Sequence, residues 1–315
     1  MTARFILSLD CEGRWGVADL LDSPHARALT DRALREAYHG LLAVLDAAAV
    51  PATFAFVAAF TLPPDRLRAL RPDLRRAAAR LPGYVEHAER ACAGEGWSGQ
   101  WAFDAVRSAR TRHELALHGA THVPWDHPGF TADAARAELQ LAFDAAPELA
   151  RQVRTFVYPR NRVAHRQVLA EFGIAGARDA RPSRSRPGAL FEELSPAAPD
   201  TDPPADVPVR IPAGRFLNWR SGPRRAVPPR VTRSRFRRSL STAARTGGVV
   251  HVWTHPENLA SGPGTLELLR DIVTDVVRLR DAGRCDVLTQ ADYCDRVAPG
   301  LLDASRARRD ARLAS

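Results

Sequence analysis

The 315-residue chain has no lysine, so all 45 of its basic side chains are arginine, and its one methionine is the first residue. It has four cysteines (Cys11, Cys92, Cys285 and Cys294), none of them in a CxxC pair. Cysteines so few and so far apart argue against a disulfide framework or a zinc ribbon and read as reduced thiols of an intracellular protein. No stretch approaches the roughly 18 uninterrupted apolar residues of a membrane span. The apolar run Phe5-Ile6-Leu7 after Met1-Thr-Ala-Arg is too short for a signal peptide and has no cleavage-site pattern. The expected location is the cytoplasm.

A formal charge of +9 and a pI of about 10.4 invite a nucleic-acid reading. The missing lysine argues instead for a compositional bias acting on surface positions. Arginine is spread along most of the chain, and no recognised DNA-binding motif is present. Nucleic acid is therefore not an expected partner. Hydrophobic residues at 45% and charged residues at 26% are ordinary for a globular protein and leave ample material for a core.

Short apolar runs alternate with segments of helical period. Strands are predicted at 4–9, 52–57, 114–118 and 154–158, with shorter ones near Ile174, at 248–253 and at 285–288. Helices are predicted over 31–49, 131–145 with Thr131 as N-cap, 165–172 and 265–280. Strand and helix taking turns signals a parallel sheet covered by helices. The expected fold is α/β, a distorted (β/α) barrel of about seven strands, whose chemistry gathers at the C-terminal strand ends. One domain over 1–300 is expected, with insertions near 63–112 and 180–232. The first is arginine-rich and mostly helical. The second is an irregular excursion dense in Pro, Arg and Asp. Residues 301–315 read as a basic, flexible tail, a solvated and frayed helix.

Four polar clusters follow predicted strands. Asp10 and Glu12 are two apart, so in extended chain they point the same way, and two buried carboxylates need a cation or a shared proton. Alone, such a pair more often caps a turn. His118-Gly-Ala-Thr-His122 adds two imidazoles which, on a helical turn, share one face. Two histidines, one carboxylate and open positions form a hydrolytic metal pattern. Tyr158-Pro159-Arg160-Asn161 follows the fourth strand, where a fixed Tyr-Pro step can expose amide donors to a ligand. In the last cluster His251 lies inside a strand, as a core histidine does, while His255 beside Pro256 stands at the strand end, suited to proton transfer. Trp253, Trp219 and Trp125 offer apolar faces for a sugar ring.

Taken in order, Ser8–Glu12, Ala52-Thr-Phe54, His118-x-x-x-His122, Tyr158-Pro-Arg-Asn161 and His255-Pro256 resemble the polysaccharide deacetylase (NodB-homology) family, in its Asp-x-Glu branch. The resemblance spans residues 4 to 295. It implies a metal-dependent hydrolase that removes an N-acyl group, acetyl or formyl, from a sugar or glycan precursor. It also implies a divalent metal, zinc first, on Glu12, His118 and His122, with Asp10 as base, metal-bound water as nucleophile and His255 as acid. Tyr158, Pro159, Arg160, Asn161 and Trp253 become the substrate and oxyanion residues. The family's metal-binding acid normally follows the base directly. That place is Cys11 here, and Glu12 takes the role, with thiolate ligation by Cys11 the second choice. Many members carry an arginine where Val157 stands, so orienting the base passes to Arg160 or Arg178, or the role is absent. Asn218-Trp219 falls where other members have an aspartate–tryptophan segment. Two further readings stay open: another C–N amide hydrolase on the same scaffold, acting on a ureide or formamide, and a non-catalytic glycan binder.

Overall fold

A computed structural model describes residues 1–78, 94–181, 198–202, 207–217 and 222–314. Cys92, Asn218 and Trp219 lie outside the described residues, as do parts of both expected insertions. Among the described residues nine strands form one sheet: β1 (Ala3–Cys11), β2 (Thr53–Phe56), β3 (Glu114–Leu117), β4 (Thr155–Phe156), β5 (Gly176–Arg178), β6 (Val209–Ile211), β7 (Arg215–Phe216), β8 (Val249–Thr254) and β9 (Cys285–Leu288). Their order is β6-β5-β4-β3-β2-β1-β8-β7, with β9 paired to β1, and every pairing is parallel. The sheet curls into a distorted (β/α) barrel that stays open between β6 and β7.

β1 is the hub, because it pairs with β2, β8 and β9. From Phe5 to Cys11 it is buried on both faces, which is why it reads as a nearly continuous apolar run and not as an alternation. The polar exceptions in that run, Ser8 and Asp10, are buried too.

Helices cover the sheet where the sequence predicts them. Thr30 caps Asp31–Ala48 by accepting from Ala33 N at 3.2 Å, and Leu34, Tyr38, Leu41 and Leu45 turn inward at helical spacing. Thr131 caps Ala132–Ala145 in the same way, accepting from Ala134 N. Each large apolar side chain so buried contributes about 1.5–3 kcal/mol.

Two expectations are corrected. The excursion over 180–232 holds regular structure in its described residues: β6, β7 and the start of helix Pro229–Thr246. Strands of three and two residues are too short to show a period, and they exist here through backbone pairing to β5 and β8. The tail forms helix Leu301–Leu313 and docks: Ser305 and Arg309 are buried, Arg309 Nη1 donates to Val153 O, and the Arg312 guanidinium lies 3.7 Å from the centre of the Phe172 ring. Its Ala-Arg-Asp composition hides this, because the contacts are made by arginine guanidinium groups.

Away from the mouth, Glu114 ties four segments together. Its carboxylate accepts from Thr53 Oγ1 at 2.7 Å, Thr155 Oγ1 at 2.5 Å and Ala291 N at 2.9 Å, while Thr53 Oγ1 accepts from Gln290 N. Replacing Glu114 by leucine strands these donors in a dry interior, at about 1–3 kcal/mol for each buried group left unmet. Urea unfolding of Glu114→Leu is expected to show a clear loss of stability. A midpoint equal to wild type contradicts the assignment of Glu114 as a structural tie.

Candidate active site

The C-terminal ends of β1, β3, β4 and β8 converge on a cavity of about 360 Å³ whose lining includes Asp10, Glu12, His118, His122, Arg160, Asn161, Trp253 and His255. Asp10 is the penultimate residue of β1, and Glu12 follows Cys11 where the chain turns into a short 3-10 helix, Gly13–Val17. The turn brings Gly16 against Glu12, and a Cβ on Gly16 would lie 1.9 Å from Glu12 Oε1. Only glycine leaves the carboxylate room there.

Glu12, His118 and His122 place one ligand atom each within 4.8 Å of one another, all three buried. Glu12 Oε2 is 2.7 Å from His122 Nε2 and 3.3 Å from His118 Nε2. His118 Nδ1 donates to Val157 O at 2.7 Å, so its Nε2 lone pair faces the carboxylate. Burial, against the pull of Glu12, holds His122 below the ordinary imidazole range. Burial alone would raise Glu12, but His122 and His255 hold it well below the usual carboxylate range. Two imidazoles and one carboxylate, buried and convergent, fit a divalent cation.

The histidine pair does not lie on a helical turn, as its spacing predicts. It sits in an irregular loop after β3, with positive φ at Gly119 (79°) and His122 (65°). Glu138 holds that loop from behind. Its Oε1 accepts from Ala120 N, Thr121 N and Thr121 Oγ1 at 2.8–3.1 Å. A left-handed histidine costs on the order of 1–3 kcal/mol and persists where its surroundings over-determine it.

Asp10 has its own counter-ion. Arg178, at the end of β5 and 1% exposed, donates from Nη1 and Nη2 to the two carboxylate oxygens at 2.7 and 2.6 Å. Burial would raise Asp10, yet Arg178 outweighs it and holds the carboxyl below its ordinary value. Arg178 is itself oriented by Asn161 Oδ1 at 2.8 Å, Ser8 Oγ at 3.1 Å and the Trp253 ring, whose centre is 4.6 Å from its Cζ. Behind Ser8 stands His251, with Nε2 at 2.8 Å from Ser8 Oγ and Nδ1 at 2.6 Å from Pro212 O. Burial and Arg178 push His251 down to about 3. The neutral ring therefore donates from Nδ1 and accepts from Ser8, whose oxygen accepts from Arg178.

His255 Nε2 lies 3.4 Å from Glu12 Oε1 and 3.9 Å from Asp10 Oδ2. With Asn258 Nδ2 donating to Nδ1 at 3.0 Å, the neutral ring carries its proton on Nε2, toward the cavity. Arg160 and Asn161 line the cavity; Arg160 Nη2 also bonds Gly16 O at 3.2 Å and pairs with Asp19, leaving Asp10 to Arg178. Tyr158 and Pro159 are buried behind them, and Trp125 is fully buried against Phe130, Phe156 and Tyr158, so it is core and presents no ring to a ligand. Cys11 is buried, its Sγ 3.6 Å from Leu9 O.

Sequence reasoning passed over Glu138, Asn258 and Glu257. Glu257 is 1% exposed and accepts from Glu12 N and Gly13 N at 3.1 and 2.5 Å. Burial, with the Glu12 charge nearby, pushes it up to about 8, so it is protonated at neutral pH. Its place in His255-Pro256-Glu257, opening a helix, was the one available signal.

No family model and no curated protein matches this chain. Solved structures do. A chain assigned to the polysaccharide deacetylases of Pseudomonas aeruginosa PAO1 superposes with a TM-score of 0.59 at 13% identity, over 94% of this chain and 92% of that one. One from Mycobacterium smegmatis, likewise assigned, gives 0.55 at 20% identity over 94% and 90%. The fold is that of the polysaccharide deacetylases. Puue allantoinase shares it, with a TM-score of 0.54 at 12% identity over 94% and 89%.

The depressed Asp10 carries a pH signature. Its folded-state pKa lies below the unfolded value, so its stabilisation is present above the ordinary carboxylate range and is lost as pH falls through the folded value. Asp10→Asn leaves Arg178 buried without a counter-charge and is expected to cost about 3 kcal/mol near pH 7. Measured by denaturant unfolding, the gap to wild type should narrow as pH drops toward about 3. A gap that stays constant with pH contradicts the pairing.

Proposed function

We propose that the chain is a metal-dependent hydrolase of the polysaccharide deacetylase family, removing an acetyl or formyl group from the nitrogen of a sugar or glycan precursor. The observation that carries this is the meeting of the Glu12–His118–His122 triad with Asp10 and His255 at one cavity mouth. A divalent ion there, zinc in the first instance, lowers the pKa of water from about 15.7 toward about 7 and polarises an acyl carbonyl.

Asp10 accepts the proton as water attacks. Arg178 occupies one lone pair on each Asp10 oxygen, which keeps the group anionic and leaves it lone pairs to use. A carboxylate held this low is a weak base, so it suits a water whose acidity has already been raised. His255 delivers its Nε2 proton to the departing amine, without which an amide C–N bond breaks slowly. Backbone N–H groups at Tyr158 or Arg160 face the developing oxyanion, with Arg160 and Asn161 beside the substrate. Trp253 offers its ring to the sugar. Among the described residues no helix is long and apolar enough to cross a membrane, and a cytoplasmic setting belongs to the same proposal.

A second reading rests on the shared fold of Puue allantoinase: hydrolysis of a ureide with the same metal and the same base.

Acyl release from acetylated and formylated amino sugars tests the proposal, with a ureide assayed alongside. Asp10→Asn and His255→Ala should each lower kcat by about 10²–10⁴ with little change in KM, and chelation followed by zinc should abolish and restore turnover. Full activity after chelation, or in Asp10→Asn, refutes the mechanism. Turnover of the ureide alone moves the assignment to the second reading.

A further inference from the structure

Residues 13–29 take no part in the sheet, yet Gly16, Val17, Leu20, Ser23 and His25 all line the cavity. They form one wall of the site, and that wall is fastened to elements distant in sequence. Near its start, Arg160 of the loop after β4 bonds Gly16 O and pairs with Asp19. Near its end, His25 Nδ1 lies 2.8 Å from Oγ of Ser261, the last residue of helix Pro256–Ser261. The wall is also braced. Trp15 is buried, its Nε1 donates to Trp97 O at 3.0 Å, and the two rings meet edge to face with centres 5.3 Å apart. Arg14 N donates to Gly96 O at 2.8 Å, and Gly96 N donates to Asp31 Oδ1 at 2.7 Å. Gly96 and Trp97 belong to the insertion expected over 63–112, so part of that insertion is a buttress of the site.

The Arg160 tie draws on a strained turn. Arg160 and Asn161 are consecutive left-handed residues, at φ 56° and 54°. That conformation is uncommon for anything but glycine and is kept where the surroundings over-determine it. Here the two side chains diverge: Arg160 reaches Gly16 and Asp19, while Asn161 accepts from Arg178. Arg178 lies against the Trp253 ring, whose centre is 5.8 Å from that of His255. His255 in turn accepts from Asn258, on the helix that ends at Ser261. From Asp19 through Arg160, Asn161, Trp253, His255 and Ser261 back to His25, the contacts run round the cavity without a break.

A groove that accepts an internal unit of a polymer needs two open ends, one for the units on each side. A closed perimeter has a single opening. The floor below it is deep: Asp10, Glu12, His118 and His122 are buried, whereas Leu20 on the wall is 56% exposed. The cavity's volume of about 360 Å³ is at the low end of the range for small-molecule sites, roughly 300–1,000 Å³. We propose that the substrate presents its acyl-amino group on one terminal sugar unit, as a free monosaccharide or a chain end. The wall over 13–29, held by the Arg160–Asp19 and His25–Ser261 ties, excludes the internal units of a polymer. This inference rests on the hydrolase reading of the site and adds to it the size class of the substrate.

The test is acetyl release by the zinc-loaded full-length protein from N-acetylglucosamine, its β-1,4-linked tetramer and glycol chitin, a soluble polymer with few ends. Per acetyl group, kcat/KM on glycol chitin should be at least about tenfold below that on the better of the two small sugars. Release from the monosaccharide alone marks a free sugar as the substrate, and release from the tetramer as well marks a chain end. Asp19→Ala combined with Ser261→Ala undoes both ties and should raise release from glycol chitin by about tenfold relative to the small sugars. Glu36→Ala, on helix Asp31–Ala48, should leave the preference as it is. Equal release from polymer and small sugars by the wild-type protein overturns the proposal while retaining the hydrolase reading. A preference that survives the double substitution overturns the wall as its cause. If no probe loses acetyl, calorimetric titration with the same three probes decides. Binding of a small sugar without glycol chitin then retains the pocket and removes the hydrolase reading, whereas binding of glycol chitin, or of no probe, overturns both.

Discussion

Three buried carboxylates within one cavity wall repel one another, and the site is arranged around that repulsion. Asp10, Glu12 and Glu257 are each under a tenth exposed, and three bare charges so close together in a dry interior would not fold. Each is relieved by a different means. Asp10 has the paired guanidinium of Arg178. Glu12 has two imidazoles and the cation they are built to share. Glu257 keeps its proton and spends its remaining acceptor capacity on the backbone of the Glu12 turn. Chemically distinct roles for similar side chains follow from this division: one anion without a metal, one anion for a metal, and one neutral prop.

The supports around them follow the same logic. Arg178 is oriented by Asn161, Ser8 and the face of Trp253, and Ser8 by a His251 that is held neutral. A charged His251 would oppose Arg178 and break the chain of donors. The histidine loop, strained at His122, is held by the three bonds to Glu138. These partners hold the metal-ligating residues and Asp10 in place.

Much of this was legible before any coordinates, and the division between legible and hidden is physical. The clusters at 10–12, 118–122, 158–161 and 251–255 could be read because each is local, a polar break at the end of an apolar run. The (β/α) alternation was readable for the same reason. Arg178 entered only as one of two substitutes for a missing arginine at Val157, since its partner is 168 residues away and no spacing records that. Glu138 and Glu257 look like ordinary helix glutamates in sequence. The His118–His122 spacing suggested a helical turn, but Gly119 at φ 79° admits a loop that makes the same convergence by another route. β6 and β7 were missed because two or three residues carry no period.

The account stands or falls on the metal. Elemental analysis of purified wild-type protein, paired with X-ray absorption at the metal edge, measures both the number of ions and the atoms around them. One divalent ion per chain, with a shell of nitrogen and oxygen donors and no sulfur, is the result predicted for Glu12, His118 and His122. A sulfur shell would put Cys11 on the ion in place of Glu12. A folded protein that takes up no ion after resupply would contradict the account outright.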